Sequence, residues 1–310
     1  MNIIVTGGAG FIGSHLCEWL LDTGNKVICV DNLITGKREN IKLLLKNPNF
    51  TFIEHDVSKP MKMGHEIDQI YHLSSPASPI DYQRLPIETM MVNSLGTKNM
   101  LDMANEKRAK ILLASTSEVY GDPEMHPQTE EYWGHVNPVG PRSCYDESKR
   151  FAEALAMAYN KMFYVDVKIA RIFNTYGPRM RSNDGRVIPN FVMQALKGED
   201  ITVYGDGKQT RSFCYITDMV DGLIRLMGSG KSGEIMNLGS LDERKVIDVA
   251  KIIKDTANSN SKIAFLPLPT DDPTKRKPDI RRAKEKLGWE PKVSFESGLK
   301  KTIEWFRMQI

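Results

Sequence analysis

With 310 residues, 41% of them hydrophobic, the chain is long enough to bury a sizeable core as one large domain or two intimate ones. Its formal charge of +3 is small, and the basic runs Lys107-Arg108-Ala109-Lys110 and Lys275-Arg276-Lys277 are too short to suggest a nucleic-acid partner. No apolar run approaches the ~20 residues of a membrane span and the first residues already read as a strand rather than a cleavable leader, so a cytoplasmic protein with no membrane contact is expected.

Taken in order, residues 3–5 read as a buried strand, residues 14–21 as a helix and residues 26–30 as a second buried strand. Between the first two lies Thr6-Gly7-Gly8-Ala9-Gly10-Phe11-Ile12-Gly13. Gly7 permits a tight turn out of the strand, and Gly10 lets the backbone approach a pyrophosphate. Gly13 lets the next helix pack close, with its amino terminus aimed at phosphate charge. The strand-turn-helix-strand context turns this glycine pattern into a dinucleotide site that also takes in Phe11 and Ile12. Asp31 ends the second strand, where a carboxylate accepts hydrogen bonds from the adenosine ribose hydroxyls and repels an added phosphate. NAD is therefore expected over NADP, with Lys37 and Arg38 either a solvated loop or a receptor for that phosphate.

Further short apolar runs at 50–54, 69–73, 109–114 and 165–170 alternate with helical patterns, which predicts an α/β fold: a Rossmann, doubly wound parallel sheet. Ser115-Thr116-Ser117-Glu118 falls at the carboxyl end of a predicted strand, the end that faces the ligand crevice in such sheets. Ser117 is placed to hydrogen-bond a sugar hydroxyl and Glu118 to act as acid or base; polar capping of the strand end is the plainer alternative. Tyr145 and Lys149 lie four apart in a helical segment and so share one face. Bringing a tyrosine from a pKa of about 10 toward 7 takes about 4 kcal/mol. The Lys149 ammonium and a cationic nicotinamide are expected to supply it.

After about residue 175 longer polar loops set in, and a smaller carboxyl-terminal substrate domain is expected there. Because 216–227 and 235–238 read as a helix and strand returning to the sheet, the predicted division is discontinuous. Residues 1–173 plus about 214–240 form the NAD-binding domain, and about 174–213 plus 241–310 form the smaller region, to which the resemblance named below assigns nucleotide-sugar binding. Cys17, Cys29, Cys144 and Cys214 have no metal-ligand spacing and read as reduced packing residues; no metal site is expected.

Together these residues resemble the extended short-chain dehydrogenase/reductase family over residues 1–306, and within it the UDP-glucuronate decarboxylase (UDP-xylose synthase) group. The stretches that carry the resemblance are YHLSSPASP (71–79), STSEVYGDPEMHP (115–127), YWGHVNP (132–138), GPRSCYDE (140–147), ARIFNTYGPRM (170–180) and DDPTKRKPDI (271–280). The resemblance implies that Asn32, Asp56, Val57 and Leu73 join the cofactor site. It implies too that Asn174, Arg186, Tyr204, Gln209, Arg211 and Arg276 line a nucleotide-sugar site, with arginines meeting diphosphate or sugar carboxylate. Arg276 then belongs with Tyr145, Lys149, Ser117 and Glu118 in the catalytic set, and the family's usual assembly is a homodimer.

The implied reaction oxidises the sugar at C4, loses carbon dioxide from the resulting β-keto acid, reprotonates C5 with help from Glu118 or an ordered water, and returns the hydride. One departure stands out: Met91 occupies a position where the decarboxylase pattern carries a lysine. A nucleotide-sugar 4-epimerase is the alternative. Dehydratases usually present Thr-Asp-Glu where this chain has Thr116-Ser117-Glu118, so a 4,6-dehydratase is disfavoured, as is a non-catalytic NAD-sensing module.

Overall fold

The buried apolar runs align side by side into a seven-stranded sheet in the computed structural model, which describes residues 1–268 and 275–310. The strands are β1 (Asn2–Thr6), β2 (Lys26–Asp31), β3 (Phe50–Glu54), β4 (Gln69–His72), β5 (Lys110–Thr116), β6 (Val167–Ile172) and β7 (Glu234–Leu238). They lie in the order β7-β6-β5-β4-β1-β2-β3 and every neighbouring pair is parallel. The order reverses between β1 and β4, the point in such sheets where a crevice opens outside the carboxyl ends of the strands. Both sheet faces are covered, which is why the strands are nearly continuous runs of Ile, Val, Leu and Ala rather than alternating ones.

One face packs Leu16, Leu20, Leu223, Met227 and Trp289; the other packs Met100, Leu101, Ala104, Ala152 and Ala156. The first helix, Phe11–Asp22, starts three residues before the predicted position, because Gly10 is its cap and the last glycines already form its first turn. In the Ser143–Phe163 helix the buried stripe is Tyr145, Ser148, Lys149, Ala152, Ala156 and Tyr159, the spacing of one face. The same amphipathicity that docks this helix on the sheet therefore carries Tyr145 and Lys149 inward.

The stretches assigned from sequence to the substrate region build smaller units. Ile201–Tyr204 pairs in parallel with Ile263–Leu266, and Thr210–Ser212 lies between Glu243–Lys245 and Lys275–Arg276. The Val187–Lys197, Val246–Ala257 and Phe295–Arg307 helices cover them. Pro269 and residues 271–274 of the DDPTKRKPDI stretch lie outside the described residues. Among the described residues no helix is long and apolar enough to cross a membrane.

A buried charged network ties the sheet to the loop that follows β5. Arg171 donates from Nε and Nη2 to the Glu153 carboxylate at 2.9 and 2.7 Å, and from Nη1 to the Tyr120 hydroxyl at 2.9 Å. Ser115 donates to Glu153 at 2.5 Å, and Tyr120 donates to Asn237 at 2.8 Å. Removing one partner of a buried pair strands the other charge, which typically costs about 3–5 kcal/mol. Arg171→Leu should accordingly lower the unfolding free energy by about that amount in urea titration; a loss below about 1 kcal/mol would show that water reaches Glu153.

Candidate active site

The crevice at the strand-order reversal is a cavity of about 410 Å³. Gly7, Gly10, Phe11, Ile12, Gly13, Asp31, Asn32, Asp56 and Leu73 line one part of it. Gly7 sits at φ +69°, and a Cβ there would come within 2.9 Å of the Leu73 backbone. A Cβ at Gly13 would come within 2.2 Å of the Gly7 carbonyl oxygen. The glycines thus leave a groove that backbone N–H groups can line and that side chains would fill, as a pyrophosphate requires. The Asp31 carboxylate, at the tip of β2, accepts from Ala9 N at 3.0 Å and Leu33 N at 2.8 Å. Burial raises its pKa while these two hydrogen bonds oppose the rise. Arg38 is turned away: it pairs with Glu54 at 2.8 Å and lies over the Phe52 ring. Val57 is buried among Ile4, Ile70 and Met100 and does not line the cavity.

The acid–base groups occupy the adjoining part of the crevice, where Ser117, Glu118, Tyr145, Lys149, Asn174, Arg186 and Arg276 all line the cavity. Tyr145 stacks on Tyr82 with ring centroids 5.0 Å apart. Lys149 Nζ donates to the Ala114 carbonyl at 2.9 Å and lies 5.8 Å from the centre of the Tyr145 ring. Burial, seconded by the Glu118 carboxylate, holds the Tyr145 phenol above its ordinary value, and the Thr116 hydroxyl and Arg186 guanidinium oppose this. Burial lowers Lys149 itself to about 7, against the pull of Glu153.

Glu118 is gripped from two sides. Arg142 donates from Nη2 to its Oε2, and Arg276 Nη1 lies 3.4 Å from its Oε1. Burial alone would push the Glu118 pKa up, but the two guanidiniums outweigh it and keep the carboxylate ionised. Arg276 is 5% exposed, and its Nε and Nη2 are buried with no hydrogen-bond partner among the described residues. Arg186 is held bidentate by Asp184 at 2.5 and 2.8 Å.

Arg211 sits opposite Arg276 in the pairing of Thr210–Ser212 with Lys275–Arg276, and Gln209 Nε2 donates to the Tyr204 carbonyl. These two pairings bring the residues near one another in the strand units, yet Tyr204, Gln209 and Arg211 do not line the cavity. Sequence reasoning did not single out Arg142, Asp146, Arg179, Arg181 and Asp184 as site residues. Arg142 and Asp146 are four apart and flank Tyr145 on the first turn of its helix, a spacing that could have flagged them. Arg179, Arg181 and Asp184 line the cavity from a loop whose course no periodicity announces.

A family model described as GDP-mannose 4,6 dehydratase matches residues 4–302. The chain belongs to this family of extended short-chain dehydrogenases/reductases. UDP-glucuronic acid decarboxylase 1 of Xenopus tropicalis is 54% identical over all of this chain and 73% of that protein. UDP-glucuronic acid decarboxylase 4 of Arabidopsis thaliana is 54% identical over all of this chain and 69% of that protein. Among solved structures, the UDP-glucose 4-epimerase of Thermotoga maritima with UDP-glucose superposes with a TM-score of 0.92 at 32% identity, over 100% of this chain and 99% of that one. A variant of the UDP-glucuronic acid 4-epimerase of Bacillus cereus, in complex with UDP-4-deoxy-4-fluoro-glucuronic acid and NAD, superposes with a TM-score of 0.91 at 30% identity over all of both chains.

For this extended short-chain dehydrogenase/reductase, Asp31→Ala should weaken NAD about ten- to hundredfold, as expected for losing charge-assisted hydrogen bonds of about 1.5–3 kcal/mol. NADP should lose less, because the same substitution removes a repulsion. Calorimetric titration with both dinucleotides measures the difference, and equal losses would take Asp31 off the ribose.

Proposed function

We propose that this enzyme converts UDP-glucuronate to UDP-xylose and carbon dioxide through a 4-keto sugar, using NAD as a recycled cofactor. The observation that carries the reading is the Glu118-Arg276 pair: a guanidinium buried against the cavity, with two nitrogens unpartnered among the described residues. A sugar carboxylate is the group that satisfies such a fork. The curated decarboxylases at 52–54% identity over the whole chain agree with it. Residues 1–173 plus about 214–240 then carry the cofactor, and about 174–213 plus 241–310 contribute the nucleotide-sugar side.

When bound along the Gly7–Gly13 groove, NAD supplies a reversible hydride acceptor and a positive charge that favours the Tyr145 phenolate. Tyr145 Oη takes the proton of the sugar 4-hydroxyl, while Ser117 hydrogen-bonds the same oxygen. The carboxylate is then β to a ketone, and the C5–carboxylate bond breaks with its electron pair moving onto O4. Tyr145, now protonated, and Ser117 stabilise that oxyanion. C5 takes a proton, Tyr145 returns its own proton to O4, and the pentose is released. Arg276 orients the carboxylate.

We place a second copy of the chain against the outer face of the Thr97–Lys107 and Ser143–Phe163 helices, which pack on each other. Phe151 and Met162 of the second helix and Leu95, just ahead of the first, are 51%, 67% and 48% exposed. A cytoplasmic location fits four cysteines that are all unpaired. Met91, which lines the cavity in place of a cation, favours the 4-epimerase as the second reading.

Incubation with NAD and UDP-glucuronate, followed by mass spectrometry, separates the two: loss of carbon dioxide supports decarboxylation, and an unchanged mass overturns it. Tyr145→Phe should leave under a hundredth of the rate, since a positioned acid–base group contributes about 10²- to 10⁴-fold, while NAD affinity stays nearly constant. Retention of more than about a tenth would remove it as the base. Arg276→Ala should slow decarboxylation roughly tenfold or more, again with NAD binding intact; unaltered kinetics would take Arg276 out of the site.

A further inference from the structure

Resting on the decarboxylase reading, a proton balance singles out a residue behind the cavity wall. Conversion of a glucuronate to a pentose and carbon dioxide replaces a carboxylate on C5 by hydrogen, so each turnover consumes one proton. Tyr145 cannot be its net source. The proton it takes from the 4-hydroxyl goes back to O4 when the ketone is reduced. The proton for C5 must reach a site whose acid–base groups are nearly all buried.

Asp146 follows Tyr145 directly and is 5% exposed. It shares the Arg142 guanidinium with Glu118: its Oδ2 lies 4.0 Å from Arg142 Nε, while Arg142 Nη2 donates to Glu118 Oε2, and its Oδ1 has no partner among the described residues. Two carboxyl groups thus share two guanidiniums, those of Arg142 and Arg276. Once a substrate carboxylate joins them, these three carboxyls and two guanidiniums sum to zero only if one of the carboxyls carries a proton. Glu118, in contact with both arginines, is the one that stays ionised.

We propose that Asp146 is a positioning residue that holds, beside Glu118 on the shared Arg142 guanidinium, the proton that replaces carbon dioxide at C5. The O–H bond of Asp146 breaks as its proton passes to Glu118, and the proton on the Glu118 carboxyl forms the new C5–H bond while the O4 oxyanion reverts to the ketone. Asp146 is left ionised and regains a proton from solvent before the next turnover. The surroundings agree. Burial and the neighbouring Glu118 charge push the Asp146 carboxyl well above the usual carboxylate range, against Arg142 and Arg276. Tyr82, Cys144 and Tyr145 are the other titratable groups that feel its charge, and all three are held above their ordinary values.

The test compares two rates: complete conversion of UDP-glucuronate with NAD, and reduction of UDP-4-keto-pentose with NADH, which uses Tyr145 but needs no proton at C5. Asp146→Asn keeps the shape and a donor but has no transferable proton. It should slow the complete conversion by roughly tenfold or more and ketone reduction by less than about threefold, with bound NADH accumulating at 340 nm. Asp146→Glu should recover part of the loss. A purely structural role would slow both rates together, and that result overturns the proposal. If Asp146→Asn does not fold, the wild type and Asp146→Glu decide. The pH at which the ratio of the two rates falls, as the carboxyl at position 146 loses its proton, should differ between them, because Tyr145 and Lys149 titrate in both proteins. The same pH profile of the ratio in both overturns the proposal. A wild type that releases no carbon dioxide, by contrast, overturns the decarboxylase reading instead.

Discussion

The close approach of Gly13 to the carbonyl of Gly7 is the constraint on which the rest of the molecule depends. The space a single methyl group would need is already filled by backbone, so the turn out of β1 can be this tight and the Phe11–Asp22 helix can begin this early. The groove so formed belongs to the cavity at the reversal of strand order, which Ser117 and Glu118 also line from just beyond the end of β5. A looser turn would lift the helix amino terminus away from a bound pyrophosphate.

Within the crevice the governing quantity is charge in a dry place. An ionised carboxylate held by two arginines, a lysine lowered to about 7 and a tyrosine held above its ordinary value lie together, and each is set by its neighbours. A buried charge is tolerated only when paired and hydrogen-bonded. The arrangement is consequently specific about what can enter. An anion beside Arg276 is stabilised, and a developing negative charge on a sugar oxygen beside Ser117 and Tyr145 is stabilised. The protein's own groups hold the tyrosine above its ordinary value; a bound NAD would add positive charge that favours the phenolate.

The dinucleotide half of the site was legible in the sequence because its signals are local. The glycines, Asp31 and the strand pattern each act within a few residues, and the seven strands fall close to the predicted runs. Tyr145 and Lys149 were legible for the same reason, lying four apart on a helix. The hydrogen bond from the Lys149 ammonium to the Ala114 carbonyl was not, since that partner lies far away in the chain. The assignments of Tyr204, Gln209 and Arg211 rested on resemblance alone, and the strand pairings place them outside the cavity lining.

By itself the sequence determined the fold class, the parallel sheet, the dinucleotide groove and the candidate base, since helical and strand periodicity and turn chemistry are encoded over short spans. Only the tertiary structure decided which carboxyl is ionised and which arginines meet Glu118. Arg142, Asp146 and Arg276 come from two segments more than a hundred residues apart, and whether Glu118 and Asp146 are charged depends on burial and on partners the chain brings together only when folded. Electrostatics in a buried site is a property of distances in space, and no local pattern records them.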